Sequence, residues 1–351
     1  MNIEEFEKNA VASLLFTAPV IGQDMQRFLK EKAQKIKDLA RQAVEEKIDH
    51  VYWVGSGNSR VNLLSGKELM DRFTNIPSDC FTSYEFIWRN PKSLGEKSWV
   101  FLASYSGATE DTVKALRFAN KKNAKSIVFV NKTDSLMGQE ANVAIDFQSK
   151  ALYILPLAGV YLFVLEMARL LGDPQAKQLI EDLYNLADFL KQQYGDEKEN
   201  AKILADQFKN HEMIYTLGCN TLFGLAYKFG LTVFMENMRV NGSFIETSEF
   251  RHGPAEMLDR HQPAFVVLLA DDESREIGER VISLLKSRSV PMIVFDAKKY
   301  PFNAIFAPFA LMIPLQWFAV YSAFHRGIYD LDKRVLMGHG IMSQGSGVTW
   351  P

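Results

Sequence analysis

Hydrophobic positions along the chain fall into two alternating patterns. Gln23 to Glu46 carries apolar residues at helical spacing among lysines and glutamates, and His50 to Val54 is a short β-rich run that stops at Gly55-Ser56-Gly57-Asn58-Ser59. Helical spacing returns over Arg60 to Phe73. Cys80 to Trp88 reads as an aromatic-rich strand, Ser98 to Ser104 as a continuous apolar strand, Thr109 to Lys121 as a helix and Lys125 to Asn131 as a strand. Continuous apolar runs alternating with helices predict a parallel sheet covered on both faces. From Leu157 to Lys209 the pattern is helical, and the polar tract QYGDEKEN at 193–200 is expected to be an inter-domain hinge.

The first pattern then recurs. Met213 to Gly218 predicts a strand ending at Gly218-Cys219-Asn220, Thr221 to Arg239 a helix, and Ser243 to Thr247 a short strand. Ala264 to Ala270 predicts a strand, Arg275 to Lys286 a helix and Pro291 to Ala297 a strand. The expectation is an α/β protein of two similar domains, residues 1–200 and 201–351, each a mostly parallel sheet flanked by helices. A length of 351 residues has room for both, at roughly 100–200 residues per domain.

Composition narrows the function. Lys and Arg number 40 against 42 Asp and Glu, a net charge of −2, so there is no basic excess to neutralise a phosphate backbone and nucleic acid is not an expected partner. The two cysteines, Cys80 and Cys219, form no CxxC or Cys/His cluster, which argues against a disulfide framework and a structural zinc. The polar start MNIEEFEKN is not a signal peptide, so a cytoplasmic protein is expected. Ala151 to Leu165 is uncharged, but at about 15 residues it is short for a membrane span. The longer run Pro301 to Phe324 is interrupted by Asn303, Pro308, Pro314 and Gln316 and reads as a buried helix. Its apolar surplus points to burial between subunits or domains, hence to a homodimer or larger oligomer.

Three segments carry chemistry. Gly55 to Ser59 and Ser104-Tyr105-Ser106-Gly107-Ala108-Thr109 each lie between a strand and a helix, where glycines let backbone approach a ligand and a helix N-terminus attracts anions. The three hydroxyls of the second loop suit a phosphate monoester, although Ser and Thr at such a place also serve as plain helix caps. Glu110 and Asp111 follow at once and would repel an anion if they turned inward. The third segment runs from Met235 to Pro254. Glu236 sits late in an apolar helix, where Phe234, Met235 and Met238 would bury it and make its carboxylate a better base. His252 lies on an irregular segment held by Gly253-Pro254, with Glu249 nearby. The other histidines, His50, His211, His261, His325 and His339, have no metal-ligand spacing.

In this order the motifs resemble the sugar isomerase (SIS) fold family, over two tandem domains from about Gln23 to Arg334. Ser104 to Thr109 matches that family's Ser-x-Ser-Gly-x-Thr phosphosugar loop, and Glu249-Phe-Arg-His-Gly-Pro254 is similar to a segment in the isomerase half of glucosamine-6-phosphate synthase. EFRHGPAEML, DDES at 271–274 and APFALMIPLQW at 307–317 look like the fructosamine-6-phosphate deglycases, typified by fructoselysine-6-phosphate deglycase. The resemblance implies that Ser59, Ser104, Ser106 and Thr109 hold a sugar phosphate, that Glu236 is the base and that His252 is the acid. Gly57, Asn58, Tyr105 and Glu249 complete the implied substrate contacts. The synthase has a lysine three residues before its base, where this chain has Val233, and a lysine near its C-terminus, where this chain reads GSGVTWP. Acid–base chemistry without a metal or other cofactor is therefore expected, on a phosphosugar–amine conjugate. Two alternatives stand beside it: a phosphosugar aldose–ketose or aminosugar isomerase, and a non-catalytic phosphosugar sensor.

Overall fold

A computed structural model describes residues 1–261 and 263–333. Among the described residues two compact units emerge, one formed by Val20–Asp188 and the other by Met1–Pro19 together with the chain from Phe189 to Lys333.

The first unit is built on five parallel strands, β1 (His50–Val54), β2 (Ser78–Phe81), β3 (Ser98–Ser104), β4 (Lys125–Val130) and β5 (Val143–Asp146), in the order β2-β1-β3-β4-β5. Every residue of β3 is buried, as a central strand with helices on both faces requires. Helix Ile154–Leu170, which carries the first uncharged run, packs against helices Ile21–Glu45 and Asn58–Phe73 and is buried along almost its whole length. The predicted strand at 80–88 is corrected. The strand ends at Phe81, and Ser83–Arg89 is a helix opened by a capping box in which the Glu85 N–H donates to Thr82 Oγ1 (3.3 Å) and the Thr82 N–H to Glu85 Oε2 (3.4 Å). That box satisfies two backbone donors and overrides the aromatic β-propensity of the segment.

The second unit repeats the plan with β6 (Met213–Gly218), β7 (Asn241–Glu246), β8 (Ala264–Leu269) and β9 (Met292–Asp296), all parallel in the order β7-β6-β8-β9. Even the turn into the helix after the first strand is shared: Gly57 (φ 55°, ψ −131°) and Asn220 (φ 49°, ψ −133°) adopt nearly the same conformation. Residues 1–19, expected with the first domain, group here because Phe6 packs its ring at a tilt against Phe324 at 5.2 Å, the Glu7 carboxylate takes Lys198 (2.6 Å) and Tyr321 (2.9 Å), and Gln316 Oε1 accepts the Thr17 N–H (3.1 Å). The expected hinge at 193–200 is helical, within Ala176–Asp196 and Lys198–Phe208. Its polar residues are used internally: Gln193 Nε2 donates to the Ala310 carbonyl (2.6 Å), and buried Glu197 accepts from Lys299 (2.8 Å) and Tyr300 (2.5 Å).

The apolar run near the end of the described chain, Ala304–His325, is long and apolar enough to cross a membrane by composition, yet 94% of its most apolar stretch is buried within the structure. It packs against helix Lys198–Phe208 and the helix leading into β7, within its own unit. Its apolar surface is thus accounted for and gives no argument for a second subunit.

The predicted helix over 221–239 is α-helical from Thr221 to Tyr227 and then π-helical from Lys228 to Met238, ending at Arg239 in the left-handed conformation (φ 52°). Where this π-helix crosses β7, backbone meets backbone. A Cβ on Gly230 would overlap the Ser243 carbonyl, and one on Gly242 would overlap the Gly230 carbonyl. Gly230→Ala is expected to lower the urea unfolding midpoint by the equivalent of about 1–3 kcal/mol, the usual cost of overpacking. Gly95→Ala, where an added Cβ meets nothing within 4 Å, serves as the neutral control. Equal midpoints for the two variants would contradict this reading of the crossing.

Candidate active site

The strand order of the first unit reverses at β1, whose neighbours β2 and β3 lie on either side, so the loops after β1 and β3 share the carboxyl edge of the sheet. Such a switch point is where open parallel sheets bind ligands. At the second loop the three hydroxyls converge. Ser104 Oγ lies 2.7 Å from Thr109 Oγ1 and 3.5 Å from Ser106 Oγ, and it accepts the Gly107 N–H at 3.1 Å. Ser106 Oγ accepts the Ala108 N–H (3.2 Å). Gly107 needs to be glycine: its φ is +63°, and a Cβ would strike the Ser135 side chain. Thr109 stands at the N-cap of helix Glu110–Lys121, yet its side chain makes no cap hydrogen bond. The loop is therefore a hydroxyl cluster at a helix N-terminus rather than a simple cap.

The acidic pair after the loop is turned to other work. Glu110 pairs with Lys114 one turn on (2.5 Å). Asp111 accepts the Ser56 hydroxyl through one oxygen and the Thr112 N–H (2.7 Å) through the other. Ser56 and Asp111 thus tie the loop after β1 to the helix that follows the hydroxyl loop, a link the sequence reading did not single out. Gly57 caps helix Asn58–Phe73 with positive φ, and Asn58 and Ser59 open that helix, half-buried. Tyr105 packs its ring against Phe147 (6.2 Å) while its carbonyl accepts the Asn131 N–H (3.3 Å).

Glu236, Glu249 and His252 belong to the second unit. Glu236 lies on the π-helix and is half-buried; Phe234 and Met238 are buried as expected, but Met235 is exposed. The π-helix packs on β7, and β7 leads into a 3₁₀ turn, Thr247–Arg251, capped by the Glu246 carboxylate, which accepts the Ser248 N–H (2.9 Å) and the Glu249 N–H (3.3 Å). His252 ends that turn. Its backbone N–H donates to the Glu249 carbonyl (2.9 Å), its Nε2 accepts from Arg251 Nε (3.1 Å), and its ring is exposed. Gly253 at φ 140° and Pro254 at the start of the next 3₁₀ turn set the chain direction on either side of it.

Of the other histidines, His50 Nε2 pairs with Asp79 (3.0 Å), His211 and His325 are pushed down by burial, and His339 lies outside the described residues. Among the described residues no three His, Cys, Asp or Glu side chains gather as a metal site. Burial pushes both the Cys80 and the Cys219 thiols up to about 11, which makes them poor nucleophiles.

One charged residue escaped the sequence reading. Lys228 opens the π-helix that carries Glu236, and it is 5% exposed. Burial pulls its ammonium down to about 8, and the opposing influence is the charge of Glu236. The signal available was a single lysine inside the apolar run LAYKFGLTVFM. Because the folded protein releases this proton near pH 8 and the unfolded chain near 10.5, the unfolded state binds more protons across that window. Stability should therefore rise with pH from 8 to 10.5. At about 1.4 kcal/mol per unit, the gain is up to roughly 3 kcal/mol. Urea midpoints measured at pH 8 and pH 10 should converge between wild type and Lys228→Met as the pH rises; a pH-independent difference would refute the linkage.

Known proteins share this fold. Residues 46–171 match the SIS domain family. The chain is 34% identical over 290 residues to fructosamine deglycase FrlB of Bacillus subtilis, covering 81% of this chain and 85% of that one. It is 29% identical over 319 residues to fructoselysine 6-phosphate deglycase of Escherichia coli, covering 90% and 93%. A solved Bacillus subtilis structure at 33% identity superimposes with a TM-score of 0.75 over 83% of this chain and 92% of that one. The C-terminal domain of glucosamine-fructose-6-phosphate aminotransferase from Francisella tularensis shares the fold, with a TM-score of 0.73 at 18% identity over 87% and 96%. By these similarities the chain belongs to the fructosamine deglycase family of SIS-domain enzymes.

Proposed function

We propose that the chain cleaves a 6-phosphorylated Amadori-type conjugate, such as fructoselysine 6-phosphate, into glucose 6-phosphate and a free amine or amino acid, and that it does so in the cytoplasm. The observation that carries the proposal is the convergence of Ser104, Ser106 and Thr109 at a helix N-terminus whose two acidic residues are engaged elsewhere. Hydroxyl donors, backbone N–H groups and the positive end of a helix together favour a phosphate monoester. Ser59, Asn58 and Gly57 on the neighbouring loop are assigned to the same phosphosugar, with Tyr105 beside them. The names of the relatives, a fructosamine deglycase and a fructoselysine 6-phosphate deglycase, support the substrate class.

The chemistry follows from the substrate. An Amadori compound carries its amine on C1 and a carbonyl at C2, and its ring opens when a proton passes from the anomeric hydroxyl to the ring oxygen. His252 shuttles that proton, since an imidazole exchanges protons near neutral pH. Glu236 removes a C1 proton made acidic by the adjacent carbonyl, and His252 protonates the C2 oxygen, which yields a 1,2-enaminol. Protonation at C2 with loss of the N–H proton gives an imine at C1. Water adds to that imine and expels the amine, leaving the aldehyde of glucose 6-phosphate. Glu249, beside His252, is assigned to substrate contact. The phosphate does not react, and its binding energy serves to orient the sugar.

Two measurements test the assignments. Ser106→Ala and Thr109→Val should each raise KM about 10- to 100-fold, the equivalent of roughly 1.5–3 kcal/mol for a hydrogen bond to a charged group, with kcat less affected. Unchanged KM in both variants would remove the phosphate assignment. In an assay of glucose 6-phosphate and amine released from fructoselysine 6-phosphate, Glu236→Gln and His252→Asn should each lower kcat by about 10²–10⁴-fold, the contribution of a placed general base or acid. Solvent deuterium should appear at C2 of the product. Isomerised substrate without amine release would favour the isomerase, binding without turnover the sensor, and near wild-type kcat in Glu236→Gln would end the enaminol mechanism.

A further inference from the structure

We propose that Asp111 is a positioning residue for phosphosugar binding: it closes a ring of side chains that fixes the loop after β1 against the hydroxyl loop after β3. This inference rests on the assignment of those two loops to the sugar phosphate. The ring has four members, each hydrogen-bonded to the next. Ser56, in the loop after β1, donates its hydroxyl to Asp111 Oδ2. Ser56 Oγ also lies 3.2 Å from Ser83 Oγ, and Ser83 Oγ lies 3.1 Å from Thr112 Oγ1. Thr112 completes the circuit, its hydroxyl (3.2 Å) and its backbone N–H (2.7 Å) both donating to Asp111 Oδ1. A hydroxyl has one proton to give, and a carboxylate only accepts. Ser56 and Thr112 spend theirs on Asp111, which leaves Ser83 to donate to one of those two oxygens. The Asp111 carboxylate is therefore the acceptor on which the ring depends.

The place of the ring in the fold gives it its role. Ser56 follows β1, Ser83 opens the helix Ser83–Arg89 that follows β2, and Asp111 and Thr112 lie in the first turn of the helix that follows β3. Strands β2, β1 and β3 are consecutive in the sheet, so the ring ties together their three carboxyl ends at the point where the winding reverses. Ser83 and Thr112 are buried, and buried hydroxyls that satisfy one another hold one another's orientation. From Ser56 the chain passes directly into Gly57, Asn58 and Ser59, and Asp111 stands two residues beyond Thr109. On its other flank the hydroxyl loop is held by backbone alone in two places: the Tyr105 carbonyl accepts the Asn131 N–H (3.3 Å) and the Gly107 carbonyl the Met137 N–H (2.9 Å). Toward β1 the tie runs through the Asp111 side chain. Donors from two loops that are held at a set separation before binding lose little freedom when the phosphate arrives.

The test compares Asp111→Ala, Asp111→Asn and Ser56→Ala with wild type. It reads KM and kcat on fructoselysine 6-phosphate, the inhibition constant of inorganic phosphate, and the urea midpoint. Asparagine can keep the ring: its Oδ1 still accepts from Thr112, and its amide nitrogen donates to Ser56, which then passes its proton to Ser83. Both Asp111 variants lose the charge that favours a helix N-terminus, so a KM difference between them reports the ring and not the dipole. Asp111→Ala should raise KM and the phosphate inhibition constant together by about 5- to 20-fold, a coupling usual within one hydrogen-bond network, with kcat changed by less than about threefold. Asp111→Asn should stay within about threefold of wild type, and Ser56→Ala should resemble Asp111→Ala without adding to it in the double variant. If Asp111→Ala does not fold by circular dichroism, Ser56→Ala takes its place. Wild-type KM and phosphate inhibition in a folded variant that lacks the link, whatever its urea midpoint, overturn the positioning role and leave the ring a stabilising feature only. A KM raised equally in Asp111→Asn and Asp111→Ala overturns it too, because charge and not the ring is then responsible. The phosphate assignment itself fails by a different sign: inorganic phosphate does not inhibit wild type, and Ser106→Ala and Thr109→Val keep the wild-type KM, which removes this proposal with it.

Discussion

Parallel pairing is the constraint from which the rest of this structure follows. Each strand must be regained by a crossover, so every loop leaving a strand's carboxyl end falls on one edge of its sheet. In the first unit the order β2-β1-β3-β4-β5 then places Gly55–Ser59 and Ser104–Thr109 at the point where the winding reverses. Two loops separated by the whole of β2 and its flanking helices become neighbours, joined by the hydrogen bond from Ser56 to Asp111. The second unit obeys the same rule, and the matching conformations of Gly57 and Asn220 show that the repeat extends to the backbone of a single turn.

The two units spend this common plan differently. One offers neutral donors: serine and threonine hydroxyls at the N-terminus of a helix, with nearby acids held by Lys114 and Ser56. These are suited to a dianion that must be held without reacting. The other unit collects titratable groups, Glu236 on the π-helix and His252 at the end of a 3₁₀ turn. The two sets of side chains differ in kind, hydroxyl hydrogen-bond donors in one unit and carboxyl and imidazole groups in the other.

Lys228 carries a cost in stability. Burial lowers its proton affinity and costs folding energy at neutral pH, since the unfolded chain keeps that proton more readily. Sites where a fold tolerates such a cost are commonly those that act. The glycine contact that locks the π-helix on β7 belongs to the same design, because a widened helix next to a strand leaves no room for Cβ atoms at Gly230 or Gly242.

Much of this was legible in the chain. Apolar runs alternating with helical periods predicted two parallel α/β sheets, and the capping box Thr82-Ser83-Tyr84-Glu85, overlooked in favour of aromatic strand propensity, was there to be read. Local sequence determines period, caps and turn chemistry because these depend on residues within a few positions of each other. It also carried the Ser-x-Ser-Gly-x-Thr motif, although not whether Thr109 would cap its helix or join Ser104. Tertiary packing decided that, together with the grouping of residues 1–19 with the second unit through Phe6, Glu7 and Thr17. It turned the polar tract at 193–200 into helix by giving Gln193 and Glu197 partners about a hundred residues away, and it drew Lys228 into the core. A polar residue's partner is a matter of long-range placement, and no period or spacing along the chain encodes it.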